Sequence, residues 1–301
     1  DAGRFVPGYE PAGVVVEAAS DVDQGLIGRK VVLHSHESCG NCRYCNAGAD
    51  NLCGKMRVFG VGTPGAGGWS EEVVVSASRV LPLLDNVDVR GACTYEVTYG
   101  TALHSLRRGI SLVELPGPVA VRGMPGGVAL AAAQFCVAMD VPCVAIVRNP
   151  EGQRAHQLRE LLPQIAVVGE ADGNSAVFEA FHAPAALVIE PLGGKYLAAD
   201  VDIVARGGAI GVVGTHIGVT STLRADALFM KGVTVYGTPR APIETMNEVA
   251  RMVAESYVTP VIDRVYPMSD AALALEYCEN PTGIGRVLLS MNSAADCVGP
   301  P

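Results

Sequence analysis

The stretch Cys39-Gly40-Asn41-Cys42-Arg43-Tyr44-Cys45-Asn46-Ala47-Gly48-Ala49-Asp50-Asn51-Leu52-Cys53 carries four cysteines separated by two, two and seven residues. Short spacers let neighbouring thiolates converge on one centre, and the longer spacer lets the chain turn back with the fourth. Zinc takes four such sulfurs in a tetrahedron at about 2.3 Å, and a closed set of four is structural. Assembling it contributes on the order of 10 kcal/mol of metal-coupled folding energy. The alternative is a set of free or disulfide-linked thiols. Free cysteines usually lie among apolar residues, whereas these lie among Gly, Asn, Asp and Arg, so one zinc per chain on Cys39, Cys42, Cys45 and Cys53 is expected.

Outward from the lobe, the chain has 301 residues, 49% of them hydrophobic, enough for a large core in one or two domains. Net charge is −9 with no basic run, which argues against a nucleic-acid partner. Nine cysteines, an odd number with four committed to metal, suit a reducing, cytoplasmic setting. The longest apolar stretch, residues 123–139, is broken by Pro125, two glycines and Gln134, so a buried turn and helix explain it better than a membrane span. The chain opens on Asp1 without an initiator Met, as a fragment or a numbering begun after a missing segment would.

Residues 7–85 read as β-rich, with short β-branched runs at 12–18, 30–34 and 71–76. The cysteine lobe bulges between two of them, and a turn is expected at Gly65-Ala66-Gly67-Gly68 before Trp69. From about Ala92, strand and helix alternate. Strands are expected at 118–123, 141–147, 165–168, 185–190 and 208–214, with helices at 126–139, 151–161 and 196–205. Apolar runs bounded by Gly and Pro suit a parallel sheet covered on both faces, the doubly wound nucleotide-binding arrangement. The tail offers an amphipathic helix from about 241, a strand at 261–265, a helix at 269–279 and a strand at 285–289.

Taken together, Pro7-Gly8-Tyr9-Glu10-Pro11-Ala12-Gly13, the cysteine lobe, Gly67-Gly68-Trp69-Ser70-Glu71-Glu72, Thr101-Ala102-Leu103-His104, the nucleotide half and Asp263-Arg264-Val265-Tyr266-Pro267 resemble the medium-chain dehydrogenase/reductase superfamily, most of all its zinc alcohol dehydrogenase branch. The resemblance runs from Pro7 to Leu289. It implies an α/β protein: a GroES-like β-rich domain (1–98 and 241–301) carrying the structural zinc, and a Rossmann domain (99–240) with a doubly wound parallel sheet. It also implies a nicotinamide-dependent oxidoreductase acting on a small molecule, and a homodimer or homotetramer.

Departures from the family pattern shape the expected chemistry. The zinc members' Gly-His-Glu motif, whose His binds the catalytic zinc, reads Gly8-Tyr9-Glu10 here. A phenol with a free pKa of about 10 is a poor zinc ligand at neutral pH. The third ligand, four residues before the cofactor-contacting Thr101, is Val97, with Cys93 and Glu96 nearby but out of register. A catalytic zinc of the family's kind is therefore not expected, since it needs three protein ligands. Tyr9 and Glu10 are left as candidate proton donors, and Tyr99 fills a usually small position beside the nicotinamide. The phosphate turn places Met124, Gly126 and Ala129 at the family's three glycines, with Gly123, Gly127 and Val128 completing a glycine-rich helix start. Arg148, followed by Asn149, replaces the acid that meets the ribose 2′-OH of NAD and suits the 2′-phosphate of NADP(H). Gly214 closes the strand at 208–214, and Arg286 resembles a position that reaches the pyrophosphate. His104 reads as a helix histidine, and His34 and His36 as structural or surface residues flanking a filled zinc site.

Without the Lewis acid that polarises a carbonyl, reduction of an activated, conjugated double bond is the expected reaction. Two alternatives are a redox-neutral lyase or cyclase on the same scaffold, and a non-catalytic interaction protein docking through the zinc lobe.

Overall fold

The computed structural model describes residues 6–60 and 67–291, so the first half of the turn expected at 65–68 lies outside the described residues. The chain divides into two units: residues 1–100, 240–281 and 286–301, and residues 101–239 with 282–285.

In chain order the first unit begins with β1 (Ala12–Val14), β2 (Lys30–Leu33), β3 (His36–Glu37), α1 (Arg43–Asn46), β4 (Arg57–Val58), β5 (Val80–Pro82) and α2 (Val89–Ala92). A π-helical segment, Tyr95–Gly100, follows. The second unit holds α3 (Thr101–Ile110), β6 (Val119–Met124), α4 (Gly127–Ala138), β7 (Cys143–Val147), α5 (Gln153–Leu161), β8 (Ala166–Gly169) and α6 (Gly173–Phe181). It continues with β9 (Ala185–Glu190), α7 (Lys195–Ile203), β10 (Val204–Val212), α8 (Ala225–Lys231) and β11 (Thr234–Gly237). The chain then returns to the first unit with α9 (Ile243–Ala254), β12 (Ile262–Pro267), α10 (Ala271–Glu279) and β13 (Arg286–Ser290).

In the second unit six strands lie in the order β11-β10-β9-β6-β7-β8, every pair parallel. Read from β8, this is third, second, first, fourth, fifth, sixth, the doubly wound order. Its core is the buried set Ala120, Val144, Val188 and Ile210, one residue from each of four adjacent strands. These strands are covered on both faces, which explains their unbroken β-branched runs. The chain order reverses between β6 and β9, so the carboxyl ends of those strands frame the crevice where such sheets bind ligands.

In the first unit β1, β2 and β5 form a three-stranded antiparallel sheet, and β12 pairs with β13 in parallel. The strand expected at 71–76 does not form. Val73 and Val75 are half-buried and Val74 exposed, so the alternation is present. No neighbouring strand among the described residues satisfies its backbone groups, and pattern without a ladder partner gives no strand. The helix expected at 196–205 ends at Ile203, because Val204 already joins β10. The parallel partner strand β9 claims Val204 opposite Ala185.

Candidate functional site

The cysteine lobe is closed at its base by a two-residue antiparallel ladder, His36 opposite Val58 and Glu37 opposite Arg57. Gly40 and Gly48 take positive φ of +69° and +72°, which lets the chain fold back within so few residues. The four sulfurs lie within 4.8 Å of one another, with Cys39–Cys45 at 4.0 Å and Cys42–Cys45 at 3.5 Å. Four bonds of about 2.3 Å at tetrahedral angles need sulfurs about 3.8 Å apart, so the donor set fits zinc. Backbone N–H groups, that of Asn41 foremost, hold the Cys39 thiol down to about 6.

A second cluster stands beside the lobe. His34 and His36, two residues apart on an extended run, put both imidazoles on one side. Both are buried, at 3% and 1% exposure, which overturns the surface reading. Their Nε2 atoms lie 3.2 Å apart, and Asp50 Oδ2 lies 3.4 and 3.1 Å from them. Glu96, also buried, sits on the other side of both rings: its Oε1 is 3.1 Å from His34 Nδ1 and 3.2 Å from His36 Nδ1. Glu96 accepts hydrogen bonds from the Ser35 backbone N–H and, at 2.7 Å, from the Ser35 hydroxyl. Arg79 fixes the run from behind, donating from Nε and its terminal nitrogen to His34 O at 2.9 and 2.8 Å. Burial alone would push the Glu96 carboxyl up, but the histidines and Ser35 hold it down to about 2. Burial alone would lower His34, yet Asp50 and Glu96 raise it. The sequence count set Glu96 aside as out of register; the backbone there winds as a π turn, in which Tyr99 N–H donates to Thr94 O, five residues back. The His-x-His spacing was the available signal.

Tyr9 is 39% exposed. Glu10 accepts from Thr98 Oγ1 at 3.2 Å and is ion-paired with Arg286. Burial pushes its carboxyl above the ordinary range, and Arg286 and Thr98 hold part of that rise back. Arg286, expected at a pyrophosphate, thus has a carboxylate partner within the first unit. Tyr99 is 2% exposed and its hydroxyl donates to Thr259 O at 2.9 Å. It packs in the first unit's interior, where its one polar atom is taken up.

In the second unit the turn after β6 starts at Gly123, whose φ is +75° and whose added Cβ would lie 2.9 Å from Pro191 Cγ. Gly126 is the N-cap of α4 and no side chain caps it, so the amides of Gly127 and Val128 open the helix. An uncapped helix start after the first strand fits a pyrophosphate. Gly214 follows β10, and a Cβ there would lie 2.5 Å from Pro191 O. Thr101, at the start of α3, is buried, and burial with Arg108 lowers His104 beyond it. Arg148 and Asn149, just past β7, are exposed, and the Asn149 side chain accepts from Glu151 N at 3.2 Å. Below the turn is a triad absent from the sequence reading: buried Arg122 donates to Asp200 Oδ1 at 2.8 Å and lies 3.3 Å from Glu190 Oε2. Glu190 Oε1 in turn accepts from the N–H groups of Leu192 and Gly193. One cation faces two buried carboxylates, and burial pushes Asp200 well up.

Residues 2–85 match the alcohol dehydrogenase GroES-like domain and residues 167–289 the zinc-binding dehydrogenase family. The chain is 27% identical over 294 residues to an alcohol dehydrogenase of Geobacillus stearothermophilus, covering 95% of this chain and 83% of that one. It is 26% identical over 280 residues to the L-threonine 3-dehydrogenase of Edwardsiella ictaluri, covering 88% and 77%. The solved thermostable alcohol dehydrogenase of Pyrobaculum aerophilum superposes with a TM-score of 0.84 at 28% identity, over 95% of this chain and 82% of that one. The chain belongs to the medium-chain dehydrogenase/reductase superfamily, in its zinc alcohol dehydrogenase-like branch. As a member, it is an oxidoreductase of the NAD(P)-dependent dehydrogenase/reductase type. Among the described residues no helix is long and apolar enough to cross a membrane.

Proposed function

We propose that the chain is an NADP(H)-dependent reductase of a small molecule with an activated, conjugated double bond, built with a structural zinc and without the family's catalytic zinc. The observation that carries the nicotinamide reading is the uncapped α4 start, framed by Gly123 and Gly126 at the crevice end of β6. Gly126, Gly127 and Val128 would hold the pyrophosphate, with Gly123, Gly214 and Thr101 shaping the approach. Exposed Arg148, with Asn149 beside it, supports a 2′-phosphate, because a guanidinium pairs with phosphate where a carboxylate would repel it. The bound nicotinamide supplies the hydride chemistry.

The family's catalytic-zinc ligands do not fit: Tyr9 stands for the histidine and half-buried Val97 for the third ligand. No step is derived through that metal. Tyr9 and Glu10 are the candidates for moving the proton, with Glu10 keeping its proton to higher pH than a free carboxyl and Arg286 orienting it. A cytoplasmic homo-oligomer is part of the same reading.

Titration calorimetry with NADPH and NADH tests it. NADPH should bind more than about tenfold tighter, as a charge-assisted contact of roughly 1.5–3 kcal/mol implies. Equal affinities would remove the NADP(H) reading, and no binding of either would favour the redox-neutral alternative. An assay with NADPH and an α,β-unsaturated ketone should consume cofactor, whereas simple alcohols with NADP⁺ should not react at a useful rate.

A further inference from the structure

His34 Nε2, His36 Nε2 and Asp50 Oδ2 form a triangle with sides of 3.1, 3.2 and 3.4 Å. Three ligand atoms bound to zinc at about 2.0–2.1 Å with tetrahedral angles stand about 3.3–3.4 Å apart. The geometry points to a divalent first-row cation, zinc in the first instance, held by His34, His36 and Asp50, with Glu96 as the outer carboxylate that orients both imidazoles.

Several observations converge on this assignment. The Nδ1 atoms of His36 and His34 face the acceptor-only Glu96 carboxylate at 3.2 and 3.1 Å, and in the tautomers with the ring protons on Nδ1 both Nε2 atoms present lone pairs. Those lone pairs and Asp50 Oδ2 then converge on one point with no donor among them, which calls for a cation. Histidines that bind metals characteristically donate their other N–H to a carboxylate, which is the relation Glu96 provides here. Asp50 is held as well, because its other oxygen, Oδ1, accepts from the N–H of Ile243 at the start of α9 at 3.2 Å. All the ligands are set before any metal arrives: Arg79 grips the His34 carbonyl, Ser35 is tied to Glu96, and Phe59 N–H donates to Ser35 O at 2.8 Å. Two nitrogens and a carboxylate oxygen suit zinc or a neighbouring divalent ion better than calcium or magnesium, which prefer all-oxygen shells.

With both imidazoles buried, such a site clamps the β3 run, the cysteine lobe through Asp50 and the π segment through Glu96. The chain then carries two zincs: one on sulfur, one on nitrogen and oxygen.

The test is a zinc count by elemental mass spectrometry on the full chain, reconstituted with excess zinc and gel-filtered, with X-ray absorption on the same sample. Two zincs per chain and a mixed sulfur and nitrogen/oxygen shell are expected. His36→Gln should lose one zinc and leave a sulfur-only shell. A wild-type chain with one zinc and an all-sulfur shell would overturn the proposal, with a proton bridging the histidines instead. So would two zincs that both survive His36→Gln. Should that variant fail to fold, the wild-type absorption spectrum decides alone. One zinc in a nitrogen/oxygen shell would support the histidine site and overturn the four-cysteine one.

Discussion

Replacing Glu96 by Gln keeps the side chain's size and removes its charge. One oxygen of Glu96 accepts from the Ser35 N–H, and the other accepts from the Ser35 hydroxyl and faces both histidine Nδ1 atoms. An amide offers one acceptor, so either orientation turns an NH₂ group toward a donor. Each charge-assisted hydrogen bond lost costs about 1.5–3 kcal/mol, and a buried unpaired donor costs about as much. The same contacts can be read from the carboxyl itself. Lowering it from 4.5 to about 2 corresponds to roughly 3 kcal/mol of preference for the charged form. Either way of counting these contacts gives a loss of about 2–4 kcal/mol.

Trp69 is the chain's one tryptophan and belongs to the same unit, so its fluorescence reports the unfolding that Glu96 affects. With a denaturant slope of about 2 kcal/mol per molar urea, the midpoint should fall by about 1–2 M. A carboxyl depressed in the folded state stabilises fully above its unfolded value. The gap between wild type and variant should therefore be open above about 4.5 and close as pH falls toward about 2. Glu276→Gln, at an exposed position, should move the midpoint by no more than its error. A Glu96→Gln midpoint within about 0.3 M of wild type near neutral pH would refute the reasoning, as would a gap that widens on acidification.

Cys42→Ser should release the sulfur-bound zinc, read by elemental analysis, while NADPH affinity in calorimetry stays within about twofold, since the lobe and the α4 start belong to different units. Arg148→Asp should erase or reverse the NADPH preference, and raised salt should shrink the wild-type gap because the group is exposed. Arg122→Met strips the cation from two buried carboxylates and should cost about 3–5 kcal/mol in thermal unfolding. That cost should be smaller at acidic pH, where a proton replaces the missing charge.

The second unit was legible because local pattern and tertiary role coincide there. Residues 185–190 read as a buried strand and form β9, since an apolar run bounded by Pro184 and Pro191 has no other satisfactory fate. The helix expected at 126–139 is α4, its start marked by the glycines the tight turn needs. The misses are short or polar. α8 and β11, seven and four residues, carry too little periodicity to stand out. Arg122 lies within the run read simply as a strand at 118–123, and nothing in its neighbours announced Glu190 and Asp200, 68 and 78 residues away, as its partners.

The first unit shows a different limit, set by register. Counting back four residues from Thr101 assumes α-helical spacing and lands on Val97. Tyr95–Gly100 instead winds as a π turn, with bonds reaching five residues back. Such a turn carries one more residue than an α turn, and the side chain that reaches the histidine pair is Glu96. Tyr99 lies in the same π segment, and its hydroxyl donates to Thr259 O. One residue of backbone slack thus accompanies a carboxylate set in a buried polar cluster. Composition could not report that, because the residues are the same either way. The two-residue spacing of His34 and His36 could, since any extended segment places such a pair on one side, and a buried pair of that kind needs a carboxylate, a proton or a metal to face.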